Sequence, residues 1–484
     1  MNSSCLRAPL LGLTLFAFAL SAASFASEPT PSPAPTVPEV KPDAPLSADA
    51  TPSKLKHYVI TDYGAVGDDT TLNTVAIQKA IDTAAAAGGG VVEVPKGRFY
   101  TGALFFKKGV ELYLAEDAVL SGSQDIKDFP TQKTRIEGHF TDWPVALINF
   151  TQMDHVRVSG QGQLNGNGAP YWAAFRSARG AANLDVPRPR LMLIDRCNDV
   201  RIEGISFQDS GFWNLHLYHC RDVHIVGLSI NAAAGSPSTD GIDVDSCQEV
   251  VISKCQISNN DDDIALKGSK GPFAEQDKDS PPDEDILIED CTIGNGNGLI
   301  TCGSEATIVR NVLVRNCIIN GRANMVTLKL RPDTPQHYSN ITIDGVTATG
   351  AGRFLNVAPW TQYFDLQGQP SPERAITNLT IRNVTGSFSM LGSLRGTVGD
   401  SITNVTFENI NLRVANTALT LGPTENVTLK NFAVNGEWYH LPEPQAAASL
   451  PRARGPAPAV TPAAQATVRQ TAPAAASSPS ASAP

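Results

Sequence analysis

The sequence has little positive charge and almost no long apolar runs. Its 484 residues carry a formal net charge of −10, and no tract of Lys and Arg stands out. Because nucleic-acid binders neutralise phosphates with clustered Lys and Arg, this deficit argues against a general nucleic-acid-binding protein. The eight His residues lack the spacing of metal ligands, so we predict no metal ion and no cofactor.

One apolar run approaches the length of a membrane span. It extends from Leu10 to Ala23, follows Arg7 and ends in small residues. This pattern is typical of a secretory signal peptide, predicted over residues 1–26, whereas the alternative, a transmembrane anchor, needs about 20 apolar residues. We therefore predict a secreted or periplasmic protein with no membrane span.

Two segments rich in Pro, Ala, Ser and Thr flank the rest of the chain. Residues 27–55 and 442–484 contain few large apolar residues and cannot bury enough surface to fold. They are predicted to be a disordered linker and a disordered tail. No further linker interrupts residues 56–441, which are predicted to form one domain of a monomeric protein.

This domain repeats a short phrase in which a polar turn residue precedes alternating β-branched residues. Asn198-Asp-Val-Arg-Ile is one example and Asn426-Val-Thr-Leu is another, and the first apolar residues of nine such phrases lie 22 to 38 residues apart. Such intervals predict a solenoid, and the alternation predicts one strand in each phrase. The intervals are too short for helical crossovers. The predicted fold is an all-β, single-chain parallel β-helix.

The front of the solenoid is predicted to carry one capping helix over residues 73–82, which Gly88-Gly-Gly90 would follow. Cysteines recur beside the phrases, and we predict stacks of buried thiols rather than the disulfides that are common in secreted proteins. Six Cys flank the phrases at equivalent positions: Cys197, Cys220, Cys247, Cys255, Cys291 and Cys317.

Acidic residues concentrate in two successive repeats, over residues 239–245 and 260–267. Aligning their apolar residues stacks Asp240 on Asp262, and adjacent parallel strands lie about 4.8 Å apart. Such close carboxylates repel each other, which a structural role rarely requires. Asp261 should point elsewhere, and a separate acid beside a close pair is what an inverting glycosidase needs. Solvated surface acids and a Ca²⁺ site are the alternatives.

Cationic side chains are predicted on the same face. The strand that ends at Arg331 alternates so that Lys329 and Arg331 point outward. Because Arg binds carboxylates in bidentate fashion, this favours an anionic ligand such as a uronate over a plain solvated strand face. Lys267, predicted in an outward ion pair with Asp245, is a further candidate. His216 either lies on the same cleft or fills a coil.

These motifs resemble those of the polygalacturonase-like enzymes of glycoside hydrolase family 28, over nearly the whole of residues 56–441. Thr239-Asp240-Gly241 is similar to the family's Asn-Thr-Asp motif, and Asn260-Asp261-Asp262 is similar to its paired-Asp motif. The resemblance implies a right-handed parallel β-helix and an inverting pectinase. It also implies Asp261 as general acid, and Asp240 with Asp262 as the base that activates water.

Two motifs of the family are altered in this chain. Gly-His-Gly appears as Gly296-Asn297-Gly298, and Arg-Ile-Lys appears as Thr327-Leu328-Lys329, with Arg331 able to replace the missing Arg. Since these motifs handle galacturonate in the family, the resemblance implies an exo-acting or rhamnogalacturonan-directed hydrolase. Asn297 is then expected at the substrate, an acidic plant cell-wall polysaccharide. A Ca²⁺-dependent polysaccharide lyase and a non-catalytic carbohydrate-binding or adhesin solenoid are the alternative functions.

Overall fold

The computed structural model describes residues 55–450 except residue 363, and within them it confirms the parallel β-helix. Successive coils each contribute strands to three long parallel sheets, in which a strand pairs with its equivalent one coil earlier and one coil later. The predicted signal peptide and most of the two flanking segments lie outside the described residues. Among the described residues, no helix is long and apolar enough to cross a membrane.

The first sheet contains Leu104–Phe105, Ile148–Thr151, Met192–Asp195, Leu215–Tyr218, Ile242–Asp245, Ile264–Lys267, Ile300–Cys302 and Val326–Leu330. The second contains His57–Val59, Gly90–Val94, Val110–Leu114, Asp154–Gly160, Asn198–Glu203, Arg221–Val226, Gln248–Ser253, Asp283–Glu289 and Ile308–Arg315. The third contains Gly97–Thr101, Ala118–Gly122, Gln163–Asn165, Ser206–Gln208, Ser229–Asn231, Gln256–Ser258, Thr292–Ile293 and Ile318–Ile319.

The last coils consist of long strands that turn through more than one sheet. Gln336–Pro359 pairs with strands of all three sheets. The stack continues through Arg374–Leu394, Asp400–Leu421 and Glu425–Val434, and Glu437–Trp438 folds back antiparallel. The chain then returns along these coils, where the Ala448 N–H donates to the Gly396 carbonyl at 3.1 Å.

All nine predicted phrases are strands of the second sheet or of its continuation in the last coils. The polar residue before each first apolar residue has a left-handed backbone, from Asp199 with φ 54° to Asn426 with φ 56°. Asn and Asp tolerate this conformation better than most residues, which explains their recurrence. Where Asn recurs, its amides stack between coils. The Asn378 Nδ2, for example, donates to the Asn340 Oδ1 at 2.9 Å.

Alternate side chains of each sheet point inward and form one continuous apolar core. Helix α1, Thr74–Ala86, buries Ile77, Ile81 and Ala84 in this core over the first coil, which confirms the predicted cap with four more residues at its end. All seven cysteines of the described chain are free and buried, as predicted.

Three insertions cover the outward face of the first sheet. One is an antiparallel hairpin of Thr131–Ile136 and His139–Pro144, and another is helix α2, Ala169–Ser177, with the segment that follows it. The third is the loop at 268–282. A second apolar cluster holds the hairpin in place, formed by Ile136, Trp143, Phe212 and Trp213.

Candidate active site

Three aspartates meet where two neighbouring strands of the first sheet begin. Ile242 pairs with Ile264, so Asp240 and Asp262 hold equivalent positions in successive coils, as predicted. One carboxylate oxygen from each of these residues and one from Asp261 all lie within 4.8 Å of one another. The turn before the second strand therefore presents both of its aspartates to the same point.

The prediction that Asp261 stands apart is wrong. Its N–H donates to the Asn259 Oδ1 at 2.8 Å, which closes a tight turn and directs the carboxylate back towards Asp240. The predicted residue Asn297, from the next coil, holds it there, because its Nδ2 donates to the Asp261 Oδ1 at 3.0 Å. Asn297 thus reaches the site through Asp261, and it does not line the cavity described below.

The three carboxylates have different partners. The Lys329 Nζ lies 2.6 Å from the Asp262 Oδ2, and the Lys267 Nζ lies 3.2 Å from the Asp240 Oδ2. Asp261 has the neutral amide of Asn297 instead of a paired ammonium group. Two of the three acids therefore face an ammonium group, while the third does not.

Burial shifts the pKa values of Asp240 and Asp261 in the same direction. Burial and the neighbouring Asp240 and Asp262 raise the pKa of Asp261 to about 8, so its carboxyl is protonated at neutral pH. Burial also raises the pKa of Asp240 well above its ordinary value, although the Lys267 ammonium acts in the opposite direction. Despite its burial, Lys329 has a raised pKa because of Asp262, and it is therefore positively charged.

The aspartates form part of the wall of a cavity of about 410 Å³, which lies within the range of about 300–1,000 Å³ for small-molecule sites. Two indole rings lie against its lysines, with the Lys267 Nζ 4.6 Å from the Trp213 ring centre and the Lys329 Nζ 5.2 Å from that of Trp360. Charged and aromatic groups dominate the lining: Glu137, Phe175, Trp213, Asp240, Asp261, Asp262, Lys267, Lys270, Glu305, Lys329, Arg331 and Trp360.

Lys267 lies at the cavity, but its predicted partner is wrong. Although Asp245 is its neighbour in the sheet, Lys267 pairs with Asp240 at 3.2 Å and Asp243 at 3.3 Å. Asp245 instead pairs with Arg135 of the hairpin at 3.4 Å. The hairpin therefore redirects Lys267 by supplying another cation to Asp245.

Arg331 also lines the cavity but is less open than predicted. The residue is 3% exposed, its Nε donates to the Asp333 Oδ1 at 2.7 Å, and its Nη1 lies 3.6 Å from the Glu305 Oε1. The turn after this strand brings Asp333 back to the guanidinium group. One edge of Arg331 is consequently engaged by protein carboxylates.

His216 does not line the cavity, so it is not supported as a cleft residue. It is fully buried, with its Nδ1 2.6 Å from the Arg190 Nη1 and its Nε2 3.4 Å from the Asp245 Oδ2. Burial lowers its pKa to about 4, so the ring is neutral. Trp213, from the same sequence run, is the residue that reaches the cavity.

Sequence reasoning missed several residues of the site. Glu137 and Lys270 lie in two of the insertions, and Trp360 directly follows the strand Gln336–Pro359. All three are outside the repeated phrases, so no alternation placed them. Asp243 does alternate with buried residues of its strand, and this pattern could have indicated its outward position beside Asp240.

Known proteins resemble this chain over most of its length. The family model for Glycosyl hydrolases family 28 matches residues 93–433, and one for rhamnogalacturonase A/epimerase, pectate lyase-like, matches residues 58–113. A probable polygalacturonase of Vitis vinifera is 27% identical over 373 residues, which are 74% of each chain. An exopolygalacturonase of Zea mays is 24% identical over 379 residues, covering 74% of this chain and 84% of that relative.

Solved structures share the fold. An exopolygalacturonase from Thermotoga maritima aligns with a TM-score of 0.69 at 20% identity, over 79% of this chain and 93% of its own. The polygalacturonase from Erwinia carotovora aligns with a TM-score of 0.61 at 20% identity, over 81% of this chain and 99% of its own. At such identities the likeness supports the fold, and the family match is what favours a hydrolase over the lyase and adhesin alternatives.

Proposed function

This chain belongs to family 28 of the glycosyl hydrolases, and from that premise we propose that it is a secreted, inverting, exo-acting hydrolase of pectic galacturonate chains. The observation that carries the proposal is that three adjacent aspartates have different partners. Asp240 and Asp262 each face an ammonium group, and Asp261 does not. These contacts support one of the three as the acid and the other two as the base, at one wall of the cavity.

In this proposal Asp261 gives its proton to the glycosidic oxygen as the bond to the anomeric carbon breaks. Asp240 and Asp262 accept hydrogen bonds from one water and remove its proton as it attacks the opposite face of the sugar. Oxygens within 4.8 Å of each other can share a water at about 2.7–2.8 Å from each. These oxygens lie closer together than the carboxyl groups of typical inverting enzymes, which are about 6.5–9.5 Å apart. The anomeric configuration of the product therefore tests whether the reaction inverts or retains the configuration.

Galacturonate is the proposed sugar because cationic side chains line the cavity beside its carboxylates, although the protein as a whole is acidic. Lys270, Lys329 and Arg331 line it within a chain of net charge −10. A uronate carboxylate can be held by such groups through charge-assisted hydrogen bonds. The relatives named polygalacturonase and exopolygalacturonase support the same substrate class.

Exo action is proposed because polar contacts connect the three insertions to one another at one side of the cavity. Glu137, in the hairpin turn, accepts a hydrogen bond from the Asn183 Nδ2 at 2.5 Å in the segment after α2. Its other carboxylate oxygen lies 3.6 Å from the Lys270 Nζ in the third insertion. A chain end fits a cavity that is closed in this way, whereas the middle of a polymer needs an open groove.

The lysines also bear on the lyase alternative. A lyase would use Ca²⁺ at the three aspartates, and here Lys267 and Lys329 supply positive charge at two of them. Metal independence is therefore part of the proposal. Release of sugar that stops with chelator, or an unsaturated product that absorbs ultraviolet light, would contradict it.

The test is hydrolysis of polygalacturonate, rhamnogalacturonan and end-labelled oligogalacturonides, with chelator present. We expect short products from one chain end, little loss of viscosity, and a first-formed anomer opposite to the linkage cleaved when the products are followed by NMR. Early internal cleavage would contradict exo action, and the same anomer would contradict inversion. Release from rhamnogalacturonan alone would redirect the substrate.

A matched pair of variants tests the wall of the cavity. Glu137→Ala should increase the share of internal cleavage, because it removes the contacts of the hairpin with Asn183 and Lys270. Glu249→Ala, on the outer surface of the second sheet, should leave the product pattern unchanged. If the product pattern of Glu137→Ala is the same as that of the wild type, Glu137 does not contribute to exo action.

Export is proposed from residues 1–26, which lie outside the described residues. We expect the protein expressed with this segment to appear outside the cytoplasm with its first residues removed, as measured by intact mass. Retention of the full mass in the membrane fraction would support the anchor instead.

A further inference from the structure

Lys267 lies in the wall of the cavity between two carboxylates. Its Nζ lies 3.2 Å from the Asp240 Oδ2 and 3.3 Å from the Asp243 Oδ1. The three side chains are at most 5% exposed, and the Trp213 ring covers the ammonium group. Because water is largely excluded, the charges of these groups act on one another strongly.

Asp243 has no place in the proposed reaction. On the first sheet it lies between His216 of one coil and Ala265 of the next. The nitrogens of His216 face Arg190 and Asp245, and Ala265 carries no polar group. In the described part of the chain, Lys267 is therefore the one cation paired with Asp243.

We propose that Lys267 and Asp243 are a positioning pair that sets the protonation state of Asp240. Lys267 favours the ionised form of Asp240, and Asp243 competes for the same ammonium group and limits that effect. The proposal rests on the proposed role of Asp240 as part of the base. It assigns a role in the reaction to Asp243, which lies beneath the reacting groups and does not touch the substrate.

The competition depends on pH. Burial raises the pKa of Asp243 to about 7, against the effect of Lys267. An ionised Asp243 draws Lys267 away from Asp240, so the competition operates at the pH values at which both carboxyls lose their protons, and burial raises the pKa of both. Other charged groups also act on this pair. Asp261, Asp262, Glu305, Lys329 and Arg188 act on Asp240 or Lys267, and Arg190 acts on Asp243.

The two members of the pair should shift the acidic side of the pH profile in opposite directions. Asp243→Asn leaves Lys267 to Asp240, so the pKa of Asp240 falls and the rise of kcat/KM moves to lower pH. Lys267→Met removes the cation, so the pKa of Asp240 increases and the same rise moves to higher pH. A neighbouring charge within about 4–6 Å shifts a carboxyl pKa by about 1–3 units, so we expect displacements of about one pH unit.

The experiment measures kcat/KM against pH on oligogalacturonide for the wild type, Asp243→Asn, Lys267→Met and the charge-conserving Lys267→Arg. Opposite displacements, with Lys267→Arg close to the wild type, would support the pair. Equal loss of activity at every pH, or displacement in the same direction, would indicate a merely structural role and overturn the proposal. If Lys267→Met does not fold, the direction of the shift in Asp243→Asn decides.

Failure of the inference is distinguishable from failure of the proposed function. An active Asp240→Asn variant would remove Asp240 from the base and contradict the proposed mechanism. An inactive Asp240→Asn variant together with unmoved profiles in Asp243→Asn and Lys267→Met would contradict the positioning pair alone.

Discussion

The outward face of the first sheet differs between the middle coils and the last coils, although the same strand pattern forms both. In the middle coils, His216, Asp243 and Thr301 of this face are fully buried. The equivalent residues of the last coils, such as Ser393 and Thr420, are half-buried. The inward face is apolar and closed throughout.

The difference comes from the insertions, since only the middle coils lie beneath the hairpin, α2 and the third loop. Covering the face removes water from its charged residues. The loss of water raises the pKa of Asp243 and Asp261 and strengthens the ion pairs of Lys267 with Asp240 and Asp243. The repeated strands therefore provide equivalent positions in successive coils. Burial beneath the insertions determines at which of these positions the pKa values are shifted and the ion pairs are strong.

The largest expected effect is on activity. Asp261→Asn removes the proposed general acid and should lower kcat by about 10²–10⁴-fold. The same change in the last coils, Asp344→Asn, affects an exposed ion pair with Arg382 and should leave kcat unchanged. The measurement is the hydrolysis rate of each variant, and circular dichroism verifies that both variants are folded. Full activity of Asp261→Asn would contradict the assignment.

The next effect is on stability. Arg135 is buried between Asp245 and Asp277, so Arg135→Met leaves an uncompensated buried charge and should lower the free energy of unfolding by about 3–5 kcal/mol. Arg382→Met breaks a half-exposed pair in the last coils and should change it by about 0–1 kcal/mol. Denaturant unfolding measures both. Equal losses of unfolding free energy would show that burial beneath the insertions does not distinguish the two regions.

The smallest effect is on the basic side of the pH profile, which Asp261 should place near pH 8. A proton donor with a raised pKa stays protonated up to that pKa, so activity should fall as the pH rises through it. Asn297→Ala removes a hydrogen bond that favours the ionised carboxylate, and the fall should move to higher pH by less than about 1 unit. Asn378→Ala, in the Asn stack of the last coils, should not move it. A shift to lower pH would contradict this role for Asn297.

Periodicity in the sequence was enough to predict the solenoid. Each phrase alternates with a period of two and begins after a residue that tolerates a left-handed backbone, and both features are local. The same periodicity predicted that Asp240 stacks on Asp262, because the register between coils follows from matching Ile242 with Ile264. Lys329 followed from the alternation of its own strand.

Predictions were wrong where a side chain responds to residues from another part of the chain. Lys267 pairs with Asp240 and Asp243 because Arg135, 110 residues before Asp245, occupies Asp245. Asp261 turns towards Asp240 because a turn at Asn259 and the amide of Asn297 direct it. None of these contacts follows from the period of a strand.

The sequence by itself determined the coil, the register and the stacking of Asp240 on Asp262, because these depend on short-range alternation and on turn residues at fixed positions. The tertiary structure alone decided which outward residues are buried, which cation each carboxylate receives and where the cavity closes. Those outcomes depend on insertions that fold back over the first sheet from distant positions, and the burial they impose changes the charge of each group beneath them.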